Sequence, residues 1–513
     1  MNFKDTPLKD VPTTILIDRM TDGWNSSHPG VAHEFVQRLA AALKAQVKVK
    51  KAGDNTFSFV SNLEHIRMRA MHNVPCWLVG GDAALNGQIS EFWQRDRNPK
   101  QLPFILTFSE RAYEQVQAKL PSGRCVRLCK DEVKDLFRSG DPVHLLKKFI
   151  WKQVHRRALI PYNINLPAKG GMFFGRYNEV SRLVEETQSS FAIAGPGRIG
   201  KTSLLRRYRA QSLREHAEHS GTRFLINLYD AKPATAARFL AMRIDPSSRS
   251  DRVTASDLLN FLKYQKGRHG APLELLLDEV DGVCRSDAFK ALAEAAKNEL
   301  CRLVMCGRGE LLKAMLDRES PLQSRAELIR VEPLEAEAAK ALIRVPLTDL
   351  GFKIDQLDQL SEQLISLTGR LPHLIQHMCK ALVEAAVEDK SDTITLSHLG
   401  RVKGDFLTAE FFINSIRDLS DPKEQLVALC LIAGGARHFT TEDVHKVALK
   451  EHLKLSFDAA HSLCNNLVIN NVLAWDSGSY TLANEGLPFF AQQTGYLNGA
   501  LADARATAAK SVA

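Results

Sequence analysis

At 513 residues the chain exceeds what one hydrophobic core usually organises, so roughly two to four domains are expected. Its 44% apolar and 25% charged residues exclude disordered and fibrous classes. A formal charge of +9 over this length is a mild excess and does not by itself indicate a polyanionic partner. The first residues lack the apolar stretch of a signal peptide, and no uncharged apolar run approaches membrane-spanning length. A cytoplasmic protein without membrane contact is expected. Nine cysteines are scattered without a Cys-x-x-Cys pair or a Cys/His cluster, and read as buried, reduced thiols.

Residues 1–158 alternate apolar strand candidates (Thr14–Asp18, Gln46–Lys50, Cys76–Val79, Phe104–Thr107, Cys125–Leu128) with helix-like segments, the pattern of an α/β domain. The alternation resembles a Rossmann-like, flavodoxin-like or response-regulator receiver fold. Asp18 ends the first strand, Asp82 follows the third, Thr107 ends the fourth and Lys130 follows the fifth, the residue types a receiver uses to take up phosphate. Gly80-Gly81 ahead of Asp82 and the single acid after the first strand depart from a receiver. A degenerate module for self-association or a protein partner is the expectation. The basic stretch Lys147, Lys148, Lys152, His155, Arg156 and Arg157 reads as the solvated face of an amphipathic helix.

A linker is placed at 159–171 on its prolines and paired glycines. Strand candidates Ser189–Ala194, Thr222–Asn227, Leu273–Asp278 and Arg302–Cys306, separated by helices, make 172–334 a parallel-sheet core. Helical periodicity over Ala336–Val345, Leu357–Thr368 and Pro372–Ala386 gives a helical lid at 335–417. In 418–495, helix candidates Lys423–Ile432, Thr441–Lys450 and Phe457–Leu467 precede apolar stretches Val472–Trp475 and Tyr480–Leu482, the outline of a winged helix. The alanine-rich residues 496–513 read as a frayed tail.

The chemistry lies in Gly195-Pro196-Gly197-Arg198-Ile199-Gly200-Lys201-Thr202, which matches G-x-x-x-x-G-K-[ST] between a strand and a helix. Glycines let backbone N–H groups turn around phosphate oxygens. Lys201 brings a point charge to the β/γ-phosphates, and the helix running on through Ser203 adds its dipole. A triphosphate, ATP, is the expected ligand, with ADP as product. The Thr202 hydroxyl and Asp278, at the end of Leu275-Leu276-Leu277, are the expected Mg²⁺ partners; Glu279 is positioned to polarise the attacking water.

These residues resemble the STAND class of signalling ATPases, AAA-related P-loop proteins of bacteria and archaea, over roughly Phe173 to Glu388. The resemblance rests on Phe173-Phe174-Gly175-Arg176-Tyr177-Asn178-Glu179-Val180 ahead of the loop, on Ser320-Pro321-Leu322 and Val331-Glu332-Pro333-Leu334, and on Thr368 to Gln376 with its G-x-P signature. It implies an AAA-like sheet with a helical lid and a winged helix. It also implies Gly175 and Arg176 near the nucleotide, Pro372 as the lid's contact, and Arg308, after Cys306-Gly307, as a catalytic γ-phosphate sensor, with Arg325 as the alternative. The activity implied is slow ATP hydrolysis by an oligomer-forming regulatory switch in bacterial signalling or antiviral defence. The competing expectation is a nucleic-acid-loading ATPase using its winged helix on DNA. That helix, Ser456–Val468, has no lysine or arginine, so DNA is not favoured, although Asn465 and Asn466 could reach base edges. A scaffold that binds nucleotide without turnover is a third class, and Glu279 speaks against it.

Overall fold

The computed structural model describes residues 7–21, 30–52, 56–69, 71–79, 101–120, 123–215, 221–247, 252–417, 419, 421–435, 438–493 and 496–512. Near the N-terminus, Thr13–Thr21 is a helix rather than the expected strand. Leu16, Ile17 and Met20 bury one helical face, and Pro12 accepts the first backbone bonds, whereas a short apolar run alone cannot separate strand from helix. The sheet behind it runs β1 (Gln46–Ala52), β2 (Thr56–Asn62), β3 (Val74–Val79), β4 (Phe104–Thr107) and β5 (Val126–Leu128) in sequence order. β1 and β2 are antiparallel to each other and β2 to β3, while β3, β4 and β5 are parallel.

The domain is therefore α/β with a mixed sheet, and the parallel receiver arrangement is corrected. Asp18 sits on the helix and pairs on the surface with Lys134 at 2.8 Å and Lys130 at 2.9 Å. Those lysines, Lys134 first, hold its carboxyl below the usual range. Thr107 is buried and donates to Leu128 O at 3.3 Å, and Asp82 lies outside the described residues.

The second sheet is parallel throughout, in the order β10 (Glu327–Arg330), β6 (Phe191–Ala194), β9 (Cys301–Gly307), β8 (Leu273–Asp278), β7 (Arg223–Asn227). β6 and β8 are buried along their length, as strands covered on both faces must be. Glu274 is tolerated inside β8 because Arg302 donates to it at 2.7 Å and Arg223 and Tyr208 also bond it. The order places β6 inside the sheet between β10 and β9, and the loop after it opens at the C-terminal edge of the sheet. The lid contains helices Ala336–Asp349, Leu357–Thr368, Pro372–Glu388, Leu396–Lys403 and Phe406–Arg417.

Beyond the lid, helices Pro422–Gly434, Thr441–Lys450 and Phe457–Ile469 carry a small antiparallel sheet. Its strands are β11 (His438–Phe439), β13 (Ser479–Leu482) and β12 (Leu473–Asp476), in that spatial order. Residues 496–512 correct the expectation of a frayed tail. Tyr496–Val512 is a helix whose Leu497, Ala500, Leu501, Ala504 and Ala508 pack into the core of this C-terminal module. Arg505 grips Glu451 with both donors, at 2.6 and 2.7 Å. Alanine is the strongest helix former, and the apolar residues recur every three or four positions. All nine cysteines are unpaired, and all but Cys129 and Cys430 are buried. Among the described residues no helix is long and apolar enough to cross a membrane.

The basic helix Pro142–Gln153 does not present a wholly solvated face. Lys147 donates to buried Asp349 of the lid at 2.5 Å, Arg67 reaches the same carboxylate at 3.3 Å, and Trp151 Nε1 donates to Asp349 O at 3.1 Å. Beyond that helix, Arg156 pairs with Asp392 and lies 4.7 Å from the Phe352 ring. We expect Asp349→Ala to cost about 2–3 kcal/mol, because it strands a half-buried ammonium as well as removing two charge-assisted bonds. The readout is chemical denaturation together with proteolysis in the 159–171 segment. Wild-type stability and an unchanged cleavage pattern would dismiss the contact as an anchor.

Candidate nucleotide site

β6 ends at Ala194, which accepts from Val331 N at 2.8 Å. That register presses the next residue against the neighbouring chain: a Cβ at Gly195 would meet Val331 O at 2.7 Å, so only glycine fits. The loop then turns through Arg198 at φ +59° and Gly200 at φ +108°. Helix Lys201–Glu215 follows, and the Lys201 ammonium folds back to donate to Gly195 O at 2.8 Å and Pro196 O at 2.7 Å. Lys201 is only 6% exposed. Burial pushes its pKa down and Arg308 adds to the effect, while Cys306, Glu279 and Asp281 oppose it. A cation so poorly solvated favours an anionic partner.

From β8 comes Asp278, whose Oδ1 accepts from Thr202 Oγ1 at 3.2 Å and from Glu279 N at 3.1 Å. Burial raises its pKa, against the lowering effect of the Thr202 bond. Glu279 holds φ +56°, a left-handed conformation costing on the order of 1–3 kcal/mol in a non-glycine residue and the kind of strain that collects at functional sites. Its carboxylate lies 3.8 Å from Arg308 Nε.

Arg308 follows β9 and reaches over the phosphate loop, with Nη1 3.4 Å from where a Cβ on Gly197 would stand. It is fixed by Asp281, whose carboxylate accepts from Arg308 N at 2.7 and 2.8 Å, from Glu310 N at 3.1 Å and from Leu311 N at 3.2 Å. Asp281 thus caps helix Gly309–Leu316 from a distant loop. Arg325, the alternative sensor, lies two residues ahead of β10 and lines a groove with Thr222, Glu274 and Arg302 at the N-terminal edge of the sheet. The polarity of a parallel sheet puts it at the end opposite the phosphate loop, and as a contact within the same chain it is corrected.

A cavity of about 280 Å³ lies above the loop. Its lining brings together five separate pieces of chain expected at the site from sequence: Arg176, the run Gly197–Ser203, Glu279, Arg308 and Pro372. Three other candidates stand behind it. Gly195 and Pro196 hold the Lys201 ammonium, and Gly175, at φ +68°, packs against Ala338 of the lid. Arg176 ties the loop down by donating to Ile199 O at 3.0 Å and Glu332 O at 2.7 Å.

Sequence reading missed part of the walls. Residues 163–168, read as linker, line the cavity: Asn163 N donates to Gln376 Oε1 at 3.2 Å and Ala168 N to Ser203 Oγ at 3.0 Å. Gln376 and His373 complete it from the lid. Both lie in the segment Thr368 to Gln376 that carried the resemblance, but nothing in that segment separates wall residues from the rest of the lid helix. Among the described residues no group of three or more His, Cys, Asp and Glu is placed to hold a metal; the adjacent Thr202 hydroxyl and Asp278 carboxylate form a hard-oxygen pair of the type Mg²⁺ takes beside phosphate.

A parallel sheet with a glycine-rich turn after an interior strand, a buried lysine opening the next helix and a hydroxyl–carboxylate pair beside it defines a P-loop NTPase. The model of the Novel STAND NTPase 1 family matches residues 161–488, more than half of the chain, and the chain belongs to that family. Membership carries nucleotide binding with it. No curated protein matches the chain. Solved structures similar to it include the Walker-type ATPase of Pyrococcus abyssi, at 15% identity over 64% of this chain and 99% of that one, with a TM-score of 0.48. The Aeropyrum pernix ORC2 protein, in ADPNP–ADP complexes, is similar at 14% identity over 67% and 98%, with a TM-score of 0.47. The ORC1 protein of the same organism, in complex with DNA, is similar at 15% over 64% and 93%, with a TM-score of 0.39.

Lys201→Ala is expected to abolish triphosphate binding in calorimetric titration, since it deletes the buried charge around which the loop is wound. Affinity near wild type would remove the loop from the site.

Proposed function

We propose that the protein is an ATP-binding and slowly hydrolysing regulatory switch, in which Lys201, Arg198 and the loop amides hold the phosphates and Glu279 accepts the proton of the attacking water. Arg308 faces the developing charge, and Asp281 keeps it there as a positioning residue. Thr202 and Asp278 would hold Mg²⁺, which when bound neutralises phosphate charge. Arg176 and Pro372 close the cavity from the core and the lid.

One observation favours a switch over a motor or loader: the C-terminal module sits directly on the phosphate loop. A second, smaller cavity is lined at once by Pro196–Arg198, by Leu371 and His373 of the lid, and by Asn470–Val472 of the module. Glu485 N donates to Ser366 O at 3.2 Å, and a Cβ on Gly369 would meet Ala483 O at 2.8 Å, so module and lid are in contact immediately before Pro372. Any change at the loop that differs between ATP and ADP is therefore applied to three parts of the chain together.

The helix-and-sheet order of the module supports the winged-helix reading, and its use argues against DNA. Asn466, one of the two asparagines available to read bases, donates to Glu424 Oε1 at 2.7 Å, and Ile469 packs on the core of the ATPase sheet. Asn465 stays exposed beside a helix without cations. Self-association or a protein partner through the N-terminal domain, in bacterial signalling or antiviral defence, is the setting we propose.

Glu279→Gln should bind ATP as wild type does and lose about a hundredfold or more in hydrolysis, because an amide cannot accept the proton. Normal turnover would move the base elsewhere. For the switch itself, limited proteolysis should give different patterns with ATP and ADP in wild type, and a single pattern in Pro372→Ala despite binding of both. Two patterns in the variant would take the coupling away from Pro372. ATP-dependent duplex binding that falls steeply with salt would replace the switch with the loader.

A further inference from the structure

Residues at or just before the start of all five strands of the ATPase sheet line one groove of about 880 Å³, on the edge opposite the phosphate loop. Among them are three charged side chains that are nine-tenths or more buried. Arg223 of β7, Glu274 of β8 and Arg302 of β9 are 8%, 9% and 10% exposed. Tyr208, from the helix Lys201–Glu215, donates to Glu274. Burial, then Glu274, push its phenol up to about 12, so it is neutral and cancels no charge. Two guanidinium ions therefore face one carboxylate, and one positive charge is left over.

The two cations are not equivalent. Arg302 is fully engaged: Nε donates to Ser189 O at 2.8 Å, Nη2 to Leu183 O at 2.8 Å and Glu186 O at 3.1 Å, and Nη1 to Glu274 and Tyr208. Arg223 uses only Nε, on Glu274. Its Nη1 is buried without a partner. Its Nη2 has no partner either among the described residues and, unlike Nη1, is not sealed from solvent, so it is the donor that Arg223 turns to the groove it lines. The other acids of the lining do not supply the missing charge. Glu327 pairs with Arg182, and Glu299 is exposed and makes no ion pair among the described residues. Lys297 and Arg325 add two exposed cations. A guanidinium held out of water with most of its donors idle is unfavourable until an anion joins it.

We propose that this groove binds a small molecule through an oxyanion, a phosphate or a carboxylate, seated against Arg223 Nη2. A guanidinium suits either group, and the volume is that of a small-molecule site. The strands separate this site from the phosphate loop, so its ligand is not the nucleotide held there. Glu274 and Arg302 stand on β8 and β9, which end at Asp278 and immediately before Arg308. An anion that balances the charge at one end of these strands therefore acts as an effector on the two strands that carry the hydrolytic residues at the other.

The probes are inorganic phosphate and succinate, titrated calorimetrically at fixed ionic strength into Lys201→Ala, whose phosphate loop lacks its buried charge. That protein should take up phosphate, and adding Arg223→Met should weaken the uptake about tenfold or more, the scale of one hydrogen bond to a charged group. Adding Glu274→Gln instead, which removes the carboxylate and enlarges the excess of positive charge, should tighten it. Arg223→Met alone should bind ADP within about twofold of wild type, the sign of an intact core on the scale of a site left untouched. Uptake of phosphate without succinate assigns a phosphate-bearing ligand, and uptake of both extends the site to carboxylates. Phosphate affinity that is the same with and without Arg223→Met, or no uptake of either anion by Lys201→Ala, overturns the proposal. Should Arg223→Met fail to fold, Glu274→Gln decides: phosphate affinity unchanged or weakened by it overturns the proposal equally.

Discussion

The arrangement of the ATPase core turns on the burial of the Lys201 ammonium. A full charge held almost out of water, with two loop carbonyls as its direct partners, is tolerable only if the surroundings supply further negative charge or a ligand does. The nearby carboxylates are not free to do so directly: Asp278 is engaged by Thr202 and the Glu279 amide, Asp281 by three backbone amides, and Glu279 stands against Arg308. Around the cavity, Arg176, Arg198 and Glu279 all adopt positive φ without being glycine. Local strain and local charge point the same way, towards a site shaped for a polyanion rather than for its own stability.

What was legible in the sequence follows from which constraints are local. The phosphate loop could be read because its backbone needs special residues at fixed positions: glycine where Val331 O approaches position 195, and again at φ +108° at position 200. β4 and β8 stand where the apolar runs put them, since a strand buried on both faces has little freedom in composition. Other features depend on contacts distant in sequence. β10, Glu327–Arg330, is mostly exposed and polar, and becomes a strand only because β6 offers an edge. Asp281 carries no local sequence signal, and its role appears only when the chain returns as β9 and presents Arg308, Glu310 and Leu311 amides to it.

Misreadings share that origin. Amphipathic periodicity alone puts the cations of the 147–157 stretch in solvent, but Lys147 and Arg156 find carboxylates about two hundred residues away, at Asp349 and Asp392. The alanine-rich C-terminal segment looked frayed because small side chains give a weak apolar signal. They also permit close approach, and the helix Tyr496–Val512 packs against Pro422–Gly434. The segment 159–171 has the punctuation of a linker, yet Tyr162 is buried with its hydroxyl donating to Ile343 O at 3.2 Å, and the residues after it form a wall of the cavity.

That segment bears on how the N-terminal domain is held. Its bonds go both to the lid, through Tyr162 and Asn163, and to the phosphate-loop helix, through Ala168 and Ser203. The domain itself leans chiefly on the lid: Trp151 packs where Gly351, at φ +82°, leaves no room for a side chain, and Asp349 gathers Lys147, Arg67 and the Trp151 indole. Towards the core, Arg67 donates to Gly171 O at 3.0 Å, in the segment that leads into the phosphate loop. Charge-assisted bonds to a buried carboxylate resist separation more than the loop contacts do. A lid that shifts against the sheet would therefore carry the N-terminal domain with it and deform the 163–168 wall between them.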